Sequence, residues 1–383
     1  MMLAYLGVVL GLGVALYILI GYPLLLAWIP WKPGPEVRKD LTFQPSVTVI
    51  LAVYNGEAFL QDKLASILAL RYPQDRMQIL VVSDGSTDKS DAIARSYADR
   101  GVTLLRVPHA GKSAAVNRAL EQATGDILFF TDVRQPLDPM ALAHLAANFA
   151  DPTVGGVTGE MHLFQGSDSG EQADMGLYWR YEVWARKIHS RIDSIFASTG
   201  CIYAIRRELA EPIPNDTLSD DAILPLRAFL KGYRVILDPE AIATDYPALP
   251  ATEFRRRCRN LGGLWQTFWR LPQLFGPKNR MWLHFLSHKF GRLLLPWACL
   301  LAAVSALALP ASWFRTVLLL AGGGIAGLAL LDRILPKTPL KRLTSPAHTF
   351  FVMNAASAVA IRVFLGSANK MWIPTQVDPK EGE

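Results

Sequence analysis

The stretch GDILFFTDVRQPLDP, residues 125–139, has the pattern of a buried strand followed by an acidic turn. Residues 127–130 are continuously apolar, which is typical of a strand covered on both faces of a sheet. Asp132 follows the strand, and two residues later, where a metal-binding turn would place a second carboxylate, the chain carries Arg134. The turn is therefore an incomplete metal site, a metal site of different design, or an ordinary loop.

Strand-like and helix-like segments alternate from residue 46 to about residue 250. Apolar strands that alternate with helices predict an α/β domain with a parallel sheet covered on both faces. Ligands of such sheets bind beyond the carboxyl ends of the strands. The polar residues predicted at those ends are Tyr54 and Asn55, Ser83 to Gly85, and Thr131 and Asp132. Each group is also an ordinary turn former, so it is their convergence on one edge that favours a binding site.

A Gly-Lys pair, Gly111 and Lys112, precedes one of the predicted helices. The sequence AGKS resembles the end of a P-loop, but that motif requires a glycine where this chain has Arg106. Backbone donors, the helix dipole and a lysine ammonium can still bind phosphate. The pair therefore predicts a bound nucleotide diphosphate and argues against a P-loop hydrolase.

Of the 383 residues 51% are hydrophobic, and they are concentrated at both ends of the chain. The first 30 residues carry no charge, which is enough to cross a bilayer as a helix. They lack a basic start and a small-residue cleavage site, so a retained transmembrane anchor over residues 1–31 is expected. Residues 293–314, 316–331 and 343–361 are further candidate spans, and the last of them could instead lie in the membrane interface.

Basic residues flank these segments and predict their orientation, because they are enriched on the cytoplasmic side. They are Lys32, Arg38 and Lys39 after the first segment, Lys278, Arg280, Lys289 and Arg292 before the second, and Arg333, Lys337, Lys341 and Arg342 before the last. All can be cytoplasmic only if the N-terminus is outside, which predicts a multi-pass inner (cytoplasmic) membrane protein. These flanks account for the net charge of +6, so no nucleic-acid partner is expected. Three cysteines without disulfide or metal spacing fit a reducing cytosol.

Six segments in this order resemble the membrane-bound family-2 glycosyltransferases, the group that contains cellulose, hyaluronan and poly-N-acetylglucosamine synthases. They are ILAVYNGE, ILVVSDGSTDKS, HAGKSAAVNRALEQATGDILFFTD, GCIYAIRREL, LSDDAILPLRAFLKGYRVILDPEA and EFRRRCRNLGGLWQ. The resemblance implies a GT-A domain, a Rossmann-like nucleotide-diphospho-sugar transferase fold, over residues 45–250. It also implies amphipathic interface helices over 251–291, transmembrane helices over 292–368 and a tail over 369–383.

The resemblance implies roles for residues at the ends of the first strands. Tyr54 and Asp84 would hold the nucleoside, with Glu57 close by. Lys112 would contact the nucleotide or its diphosphate. Asp132 matches the first aspartate of the DxD motif, which meets the nucleotide and a divalent metal ion, Mg²⁺ or Mn²⁺.

Two later motifs would supply the reactive groups. LSDD takes the place of the TED motif, so Asp221 would be the catalytic base; without the resemblance, this acidic pair is also a good start for a helix. RRRCRN takes the place of the QxxRW motif, in which Arg259 matches the arginine that faces the diphosphate and Asn260 replaces the tryptophan. The acceptor is expected to bind beside these groups. The residues predicted to line its site are Ser198, Thr199, Gly200, Cys201, Asp220 and Trp265.

The arginine-rich segment also has the pattern of a basic amphipathic helix at a membrane surface. Its apolar residues at helical spacing are Phe254, Cys258, Leu261, Trp265 and Phe268. Arg256 is predicted to bind the donor or, together with Arg255, to meet lipid headgroups. Membrane lipids are therefore expected partners.

Two positions depart from the family pattern. Arg134 replaces the second aspartate of DxD, and Ser83 replaces the first aspartate of the usual DDG. One carboxylate can still hold Mg²⁺ together with phosphate oxygens and water, so a metal site of different design is favoured. Arg134 would contact phosphate, contact a donor carboxylate, or pair with Asp138.

The sequence thus predicts an inverting glycosyltransferase that moves a sugar from a UDP-linked donor to a growing polysaccharide at the cytoplasmic membrane face, with translocation of the product left open. Three or four spans in a short chain leave the presence of a channel open, and a homo-oligomer or a partner subunit would supply its missing walls. The alternative is a single-transfer enzyme that glycosylates a membrane lipid. An inactive sugar-nucleotide-binding scaffold is the hypothesis from another class of protein.

Overall fold

The structure is a computed structural model and describes residues 1–163, 171–245, 250–335 and 338–366. The predicted tail, 369–383, lies outside the described residues. The strands are β1 Val47–Val53, β2 Met77–Asp84, β3 Val102–Val107, β4 Ile127–Thr131, β5 Val154–Leu163, β6 Tyr203–Arg206 and β7 Arg234–Asp245. The helices are α1 Met2–Leu16, α2 Tyr22–Trp28, α3 Glu57–Leu68, α4 Ser90–Ser96, α5 Lys112–Gln122, α6 Ala141–Ala147, α7 Glu171–Ile192, α8 Asp220–Leu230, α9 Pro250–Arg270, α10 Trp282–His284, α11 Gly291–Leu307, α12 Trp313–Asp332 and α13 Lys341–Ala360.

The strands of the described residues form one sheet in the order β3-β2-β1-β4-β6-β5-β7. The strands β1 to β4 are parallel, as the sequence predicts. The prediction of a parallel sheet is wrong for β6, which runs antiparallel to both β4 and β5, whereas β5 and β7 are parallel. A buried strand has the same continuous apolar pattern in either direction, so the pattern carries no information about the direction of β6.

Both faces of the sheet are covered by helices, which explains why β1 is apolar at every position except Thr48. Val49 and Leu51 belong to one buried cluster together with Leu60 of α3. Ile50 belongs to a second buried cluster together with Val116 of α5. Burying each of these side chains stabilises the fold by roughly 2 kcal/mol. The sheet is therefore a rigid platform for the loops at its edges.

Four helices of the described residues are long and apolar enough to cross a membrane. They are Met2–Trp28, Trp282–Leu307, Trp313–Asp332 and Lys341–Phe364. The prediction of one span over residues 293–314 is wrong at its end, because α11 stops at Leu307 and α12 begins only at Trp313. Pro310 lacks an N–H group, and the Ser312 hydroxyl caps α12 by accepting from the Arg315 N–H at 3.2 Å.

The N-terminal helix α1 packs closely against α11. A Cβ atom on Gly11 would lie 2.6 Å from the carbonyl oxygen of Ala298, and one on Gly7 would lie 2.1 Å from the Ser305 hydroxyl. Small residues allow such close approach between apolar helices, where packing rather than hydrophobic burial drives association in lipid. Gly7 and Gly11 are therefore packing residues.

A buried ion cluster joins α7 to the segment that leads into α11. One carboxylate oxygen of Glu182 accepts from the Lys289 ammonium, and the other accepts from Arg292 Nη1 at 2.7 Å. The imidazole Nε2 of His288 lies 3.2 Å from the same carboxylate. Because removal of one member leaves the others charged and buried, this cluster fixes α7 to the base of the membrane helices.

Candidate active site

The carboxyl ends of β2, β1 and β4 are neighbours in the sheet, so the loops that follow them share one edge. Tyr54 follows β1, Asp84 ends β2 and Asp132 follows β4. The structure therefore brings these three residues to the edge at which the sequence predicts a binding site. Later elements add the remaining side chains of the site.

Tyr54 and Asp84 lie on either side of the loop before α5. The ring of Tyr54 stacks on His109, with ring centroids 4.2 Å apart. The two carboxylate oxygens of Asp84 accept from the N–H groups of Ala110 and Gly111, at 2.8 and 3.0 Å. The carboxylate predicted to bind the nucleoside is thus buried and holds the loop that leads to Lys112.

Glu57 ties the loop after β1 to the loop after β2. Its carboxylate accepts from the Lys89 N–H at 2.9 Å, and its own N–H donates to Asp88 at 2.9 Å. The side chain is exposed at this edge. Glu57 therefore lies at the edge predicted to bind the nucleoside, and its hydrogen bonds hold the loops after β1 and β2 together.

Lys112 begins α5 and bridges two carboxylates. Its Nζ atom lies 2.9 Å from Asp132 Oδ1 and 3.1 Å from Asp220 Oδ1. Burial opposes its charge, but the carboxylates of Asp132, Asp220 and Asp221 raise the pKa of Lys112 above its ordinary value. The site therefore holds a protonated ammonium at its centre.

Asp220 and Asp221 form the first turn of α8, where the helix dipole favours negative charge. The hydroxyl of Tyr203 donates to Asp220 Oδ2 at 2.7 Å, so both oxygens of Asp220 have partners. Tyr203 is buried and stacks on Phe130 of β4, with centroids 4.7 Å apart. Asp220 and Asp221 can therefore begin the helix and also serve as reactive groups.

Asp221 has a different environment from its neighbour. Burial and the charge of Asp220 raise the pKa of Asp221 to about 7, against the opposing effect of Lys112. Residues 198–200 run along it: the Ser198 N–H donates to the Asp221 carbonyl at 2.9 Å. A Cβ atom on Gly200 would lie 3.1 Å from Asp221 Oδ2. The carboxylate therefore lies next to the backbone predicted to meet the acceptor.

Arg259 enters from α9. Burial lowers the pKa of its guanidinium, and the charges of Asp132 and Asp221 act in the opposite direction. The positive charge of Arg256 lowers the pKa of Arg259 further. The predicted catalytic arginine and the predicted donor-binding arginine are thus on one helix, and Arg259 lies within electrostatic reach of Asp132 and Asp221.

The predicted acceptor residues have several different environments. The Thr199 hydroxyl donates to the Gly159 carbonyl at 3.1 Å and accepts from Arg186 Nη1 at 3.0 Å. Cys201 is 3% exposed, so its thiol belongs to the core. Ser198 Oγ and Trp265 Nε1 are buried, and neither has a hydrogen-bond partner within the described ranges. A buried polar atom without a partner favours a ligand or water at that point.

Arg134 has a partner that the sequence did not suggest. Its Nε and Nη2 atoms donate to the two carboxylate oxygens of Asp245, at 2.8 and 2.7 Å. The Gln135 side-chain amide donates to the same carboxylate at 2.9 Å. Asp138, the predicted partner, accepts instead from the Met140 N–H at 2.8 Å. Arg134, at the second aspartate position of the DxD motif, therefore anchors the loop after β4 to the end of β7.

Two family models match this chain. The model of glycosyl transferase family 2 matches residues 48–213, and that of glycosyl transferase family group 2 matches residues 134–330, more than half of the chain. The chain belongs to glycosyltransferase family 2. The resemblance stated from the sequence is thereby confirmed.

Curated members of the family match part of their own length. A probable glycosyltransferase, YdaM of Bacillus subtilis, is 24% identical over 268 residues, which cover 67% of this chain and 60% of YdaM. The poly-beta-1,6-N-acetyl-D-glucosamine synthase of Staphylococcus aureus is 23% identical over 269 residues, which cover 65% of this chain and 62% of that enzyme. The chain spans about three fifths of the length of these relatives.

A solved structure matches over almost the whole chain. The mannosyltransferase PcManGT from Pyrobaculum calidifontis, in complex with GDP-Man and Mn²⁺, superposes with a TM-score of 0.73 at 26% identity. The match covers 95% of this chain and 98% of PcManGT. The predicted GT-A fold, with apolar helices at both ends, is confirmed.

Ser83, which replaces the first aspartate of the usual DDG motif, contacts a second acidic residue. The Ser83 hydroxyl donates to the buried carboxylate of Asp91 at 2.5 Å, and Asp91 pairs with Arg106. An aspartate at position 83 would place two buried carboxylates side by side, which is costly. The missing aspartate is thus explained by Asp91, which already provides a carboxylate at this point.

A divalent ion would have one protein carboxylate in the altered DxD position. No group of three or more histidine, cysteine or acidic side chains suited to a metal occurs among the residues that the structure describes. Asp132 has a side chain that is 38% exposed, and Lys112 is its hydrogen-bond donor. Mg²⁺ takes one or two carboxylates and completes its shell with phosphates and water. The residues therefore fit a metal ion that arrives with a diphosphate.

Tyr203 and His109 were missed from the sequence although both lie in the quoted family segments. His109 lies two residues before Gly111 and two residues after β3, so its position near the strand end could have suggested it. Nothing in the spacing connects Tyr203 with Asp220, because their contact depends on the antiparallel return of β6.

Proposed function

We propose that this family-2 protein is an inverting glycosyltransferase that moves a sugar from a nucleoside diphosphate to a hydroxyl of a membrane-borne acceptor. The observation that carries the proposal is the convergence of Lys112, Asp132 and Asp221 at the carboxyl edge of the sheet. This arrangement supplies a cation for the leaving group, a ligand for a metal ion and a base for the acceptor.

Asp221 would act as the general base. The acceptor hydroxyl loses its proton to this carboxylate while its oxygen attacks the anomeric carbon of the donor. The bond from the anomeric carbon to the diphosphate breaks at the same time, and the electron pair leaves with the diphosphate. A single displacement inverts the anomeric configuration, so an α-linked donor gives a β-linked product. Asp220 is bound by Tyr203 and Lys112, which supports assigning the base to its neighbour.

The leaving diphosphate would be stabilised by fixed positive charge. Lys112 is protonated beside Asp132, and Arg259 lies within reach of the same carboxylate. Fixed charges of this kind stabilise the transition state without reorganisation at the moment of reaction. Bound through Asp132, Mg²⁺ or Mn²⁺ would supply further positive charge to the diphosphate. PcManGT was solved with Mn²⁺, which supports a metal requirement.

The donor is predicted to be UDP-linked, and a GDP-linked donor is the second candidate. The similarity to a poly-N-acetylglucosamine synthase supports the polysaccharide acceptor. The match over 95% of this chain to PcManGT, which was solved with GDP-Man, supports a GDP-linked sugar as donor. For a polysaccharide product, a second copy or a partner subunit would complete the channel. The long apolar helices and their basic flanks support a cytoplasmic active site with the N-terminus outside.

The test uses purified protein in detergent with a panel of UDP- and GDP-sugars, membrane lipid acceptors, and Mg²⁺, Mn²⁺ or a chelator. We expect turnover of one donor class that stops in chelator and returns with metal. A ladder of products identifies a polysaccharide synthase, and one discrete glycolipid identifies a single-transfer enzyme. Tight nucleotide binding without turnover of any donor would contradict the proposal and favour the inactive scaffold.

A further inference from the structure

The loop that precedes α8 is held by a glutamine of α9. The side-chain amide of Gln266 donates from Nε2 to the Asp216 carbonyl at 2.8 Å. Its Oε1 accepts from the Leu218 N–H at 3.0 Å. One planar amide thus bonds two backbone groups of the same loop, and Gln266 is only 6% exposed. Two such bonds fix both the distance and the orientation of the loop.

Arg270, one turn further along α9, binds the same loop. Its Nη1 atom donates to the Thr217 hydroxyl at 2.7 Å, and its Nη2 atom donates to Asp216 Oδ1 at 2.6 Å. Gln266 Nε2 also donates to Asp216 Oδ2 at 3.4 Å, so Gln266 and Arg270 together make five hydrogen bonds to three consecutive residues. These residues end two positions before Asp220 and three before Asp221.

The two helices on either side of this loop carry the cations of the site. A Cβ atom on Gly263 of α9 would lie 2.1 Å from the hydroxyl of Ser219, so α9 touches the residue that directly precedes α8. On the other side, the Ser113 hydroxyl of α5 donates to the Thr217 carbonyl at 2.6 Å. The loop is therefore clamped between the helix of Lys112 and the helix of Arg259.

We propose that Gln266 is a positioning residue for Asp221. By fixing Asp216 and Leu218 to α9, its amide sets where α8 starts and so where the Asp221 carboxylate lies relative to Lys112 and Arg259. Gln266 does not touch the reacting atoms. The inference rests on the proposed function for its kinetic part, while its structural part, that the amide holds the loop, stands independently.

The test compares Gln266→Met, which keeps the length of the side chain and removes its hydrogen bonds, with Gln273→Met. Gln273 is an exposed glutamine just after α9 and is the matched control. A displacement of about 1 Å can cost roughly 100-fold in rate, so we expect kcat to fall by about that factor in Gln266→Met. The donor KM and the affinity for the free nucleotide should stay within about twofold of the parent. Gln273→Met should match the parent in every respect.

Two further measurements keep the outcome decisive. Gln266→Glu retains the acceptor for the Leu218 N–H but places a carboxylate oxygen against the carbonyl and the carboxylate of Asp216, so its kcat should also fall well below that of the parent. Amide hydrogen exchange in Gln266→Met should become faster at Leu218 and nearby, with the rest of the sheet unchanged. A kcat of Gln266→Met within twofold of the parent would overturn the positioning role. So would a fall in kcat that is accompanied by an equally large loss of nucleotide affinity and of thermal stability. If the parent turns over no donor, the proposed function fails, and the exchange at Leu218 alone decides whether Gln266 holds the loop.

Discussion

Asp220 and Asp221 are adjacent in sequence but differ in their partners. Tyr203 and Lys112 bind both oxygens of Asp220. Asp221 lies beside the backbone at Gly200, and burial together with Asp220 raises its pKa to about 7. A carboxyl group with a pKa near the working pH is well matched to accepting a proton from a hydroxyl. The two environments thus support different roles, with Asp220 held by its partners and Asp221 acting as the base.

The rate should depend on pH through Asp221. Because the raised pKa keeps this group protonated below about 7, turnover should rise with pH through that value and level off above it. The measurement is kcat over a pH series, with nucleotide affinity measured at each pH as the control. A profile that is flat across neutrality, or that rises only near the ordinary range of an aspartate, would contradict the assignment of the base.

The sequence predicted candidate reactive side chains but not the residues that hold them. Asp132, Lys112 and Asp221 follow from strand ends and family motifs, which are local features. The partner of Arg134 is Asp245, 111 positions away at the end of β7. Such a contact depends on the order of strands in the sheet, and apolar patterns do not encode that order.

At the scale of elements, α7 is attached to the membrane region through the buried carboxylate of Glu182. Burial opposes its charge, but Lys289 and His288 hold the pKa of Glu182 well below its usual range. A depressed folded-state pKa contributes stability that is present at neutral pH and lost as pH falls through that low value. The ionised carboxylate of Glu182 therefore holds α7 to this region at neutral pH.

Glu182→Gln should destabilise the protein strongly. The change leaves Lys289 and Arg292 buried without this carboxylate, which costs about 3–5 kcal/mol for buried pairs. The measurement is thermal unfolding of the purified protein in detergent. The control is Glu121→Gln, which removes an exposed pair with Arg118 and should change stability by less than about 1 kcal/mol. Equal unfolding temperatures for the two variants would contradict a structural role for the cluster.

Element boundaries followed from the sequence where the signal was local. The helices after the strand-end motifs and the apolar N-terminal helix were predicted from composition and spacing. The end of α11 was missed because residues 293–314 carry no charge, although Pro310 and Ser312 lie within that run. The capping serine and the proline, rather than hydropathy, determine the boundary.

At the scale of the whole molecule, apolar helices from both ends of the chain pack together beneath one catalytic domain. The contact of Gly7 and Gly11 with α11 joins the first helix to the second candidate span. Under the positive-inside rule, the basic flanks of these helices predict a cytoplasmic catalytic domain, which is part of the proposal. Family membership and fold follow from the sequence, whereas the donor sugar depends on the shape of a pocket that no local motif describes.

The proposed topology predicts which positions react from outside the cell. In Met2→Cys, a membrane-impermeant maleimide should label intact cells, because this residue is exposed and would lie outside. In Lys89→Cys, at an exposed position beside β2, labelling should require lysis. The parent, with its three cysteines, sets the background. Labelling of position 89 in intact cells would contradict a cytoplasmic active site.

The central claim is that Asp221 is the base of a sugar transfer, and Asp221→Asn tests it most directly. Asp62→Asn, a change of an exposed aspartate on α3, is the matched control. Loss of a general base costs about 10²- to 10⁴-fold, so kcat of Asp221→Asn should fall by that factor while nucleotide affinity is retained. Asp62→Asn should behave as the parent. Turnover in Asp221→Asn within about threefold of the parent would contradict the account.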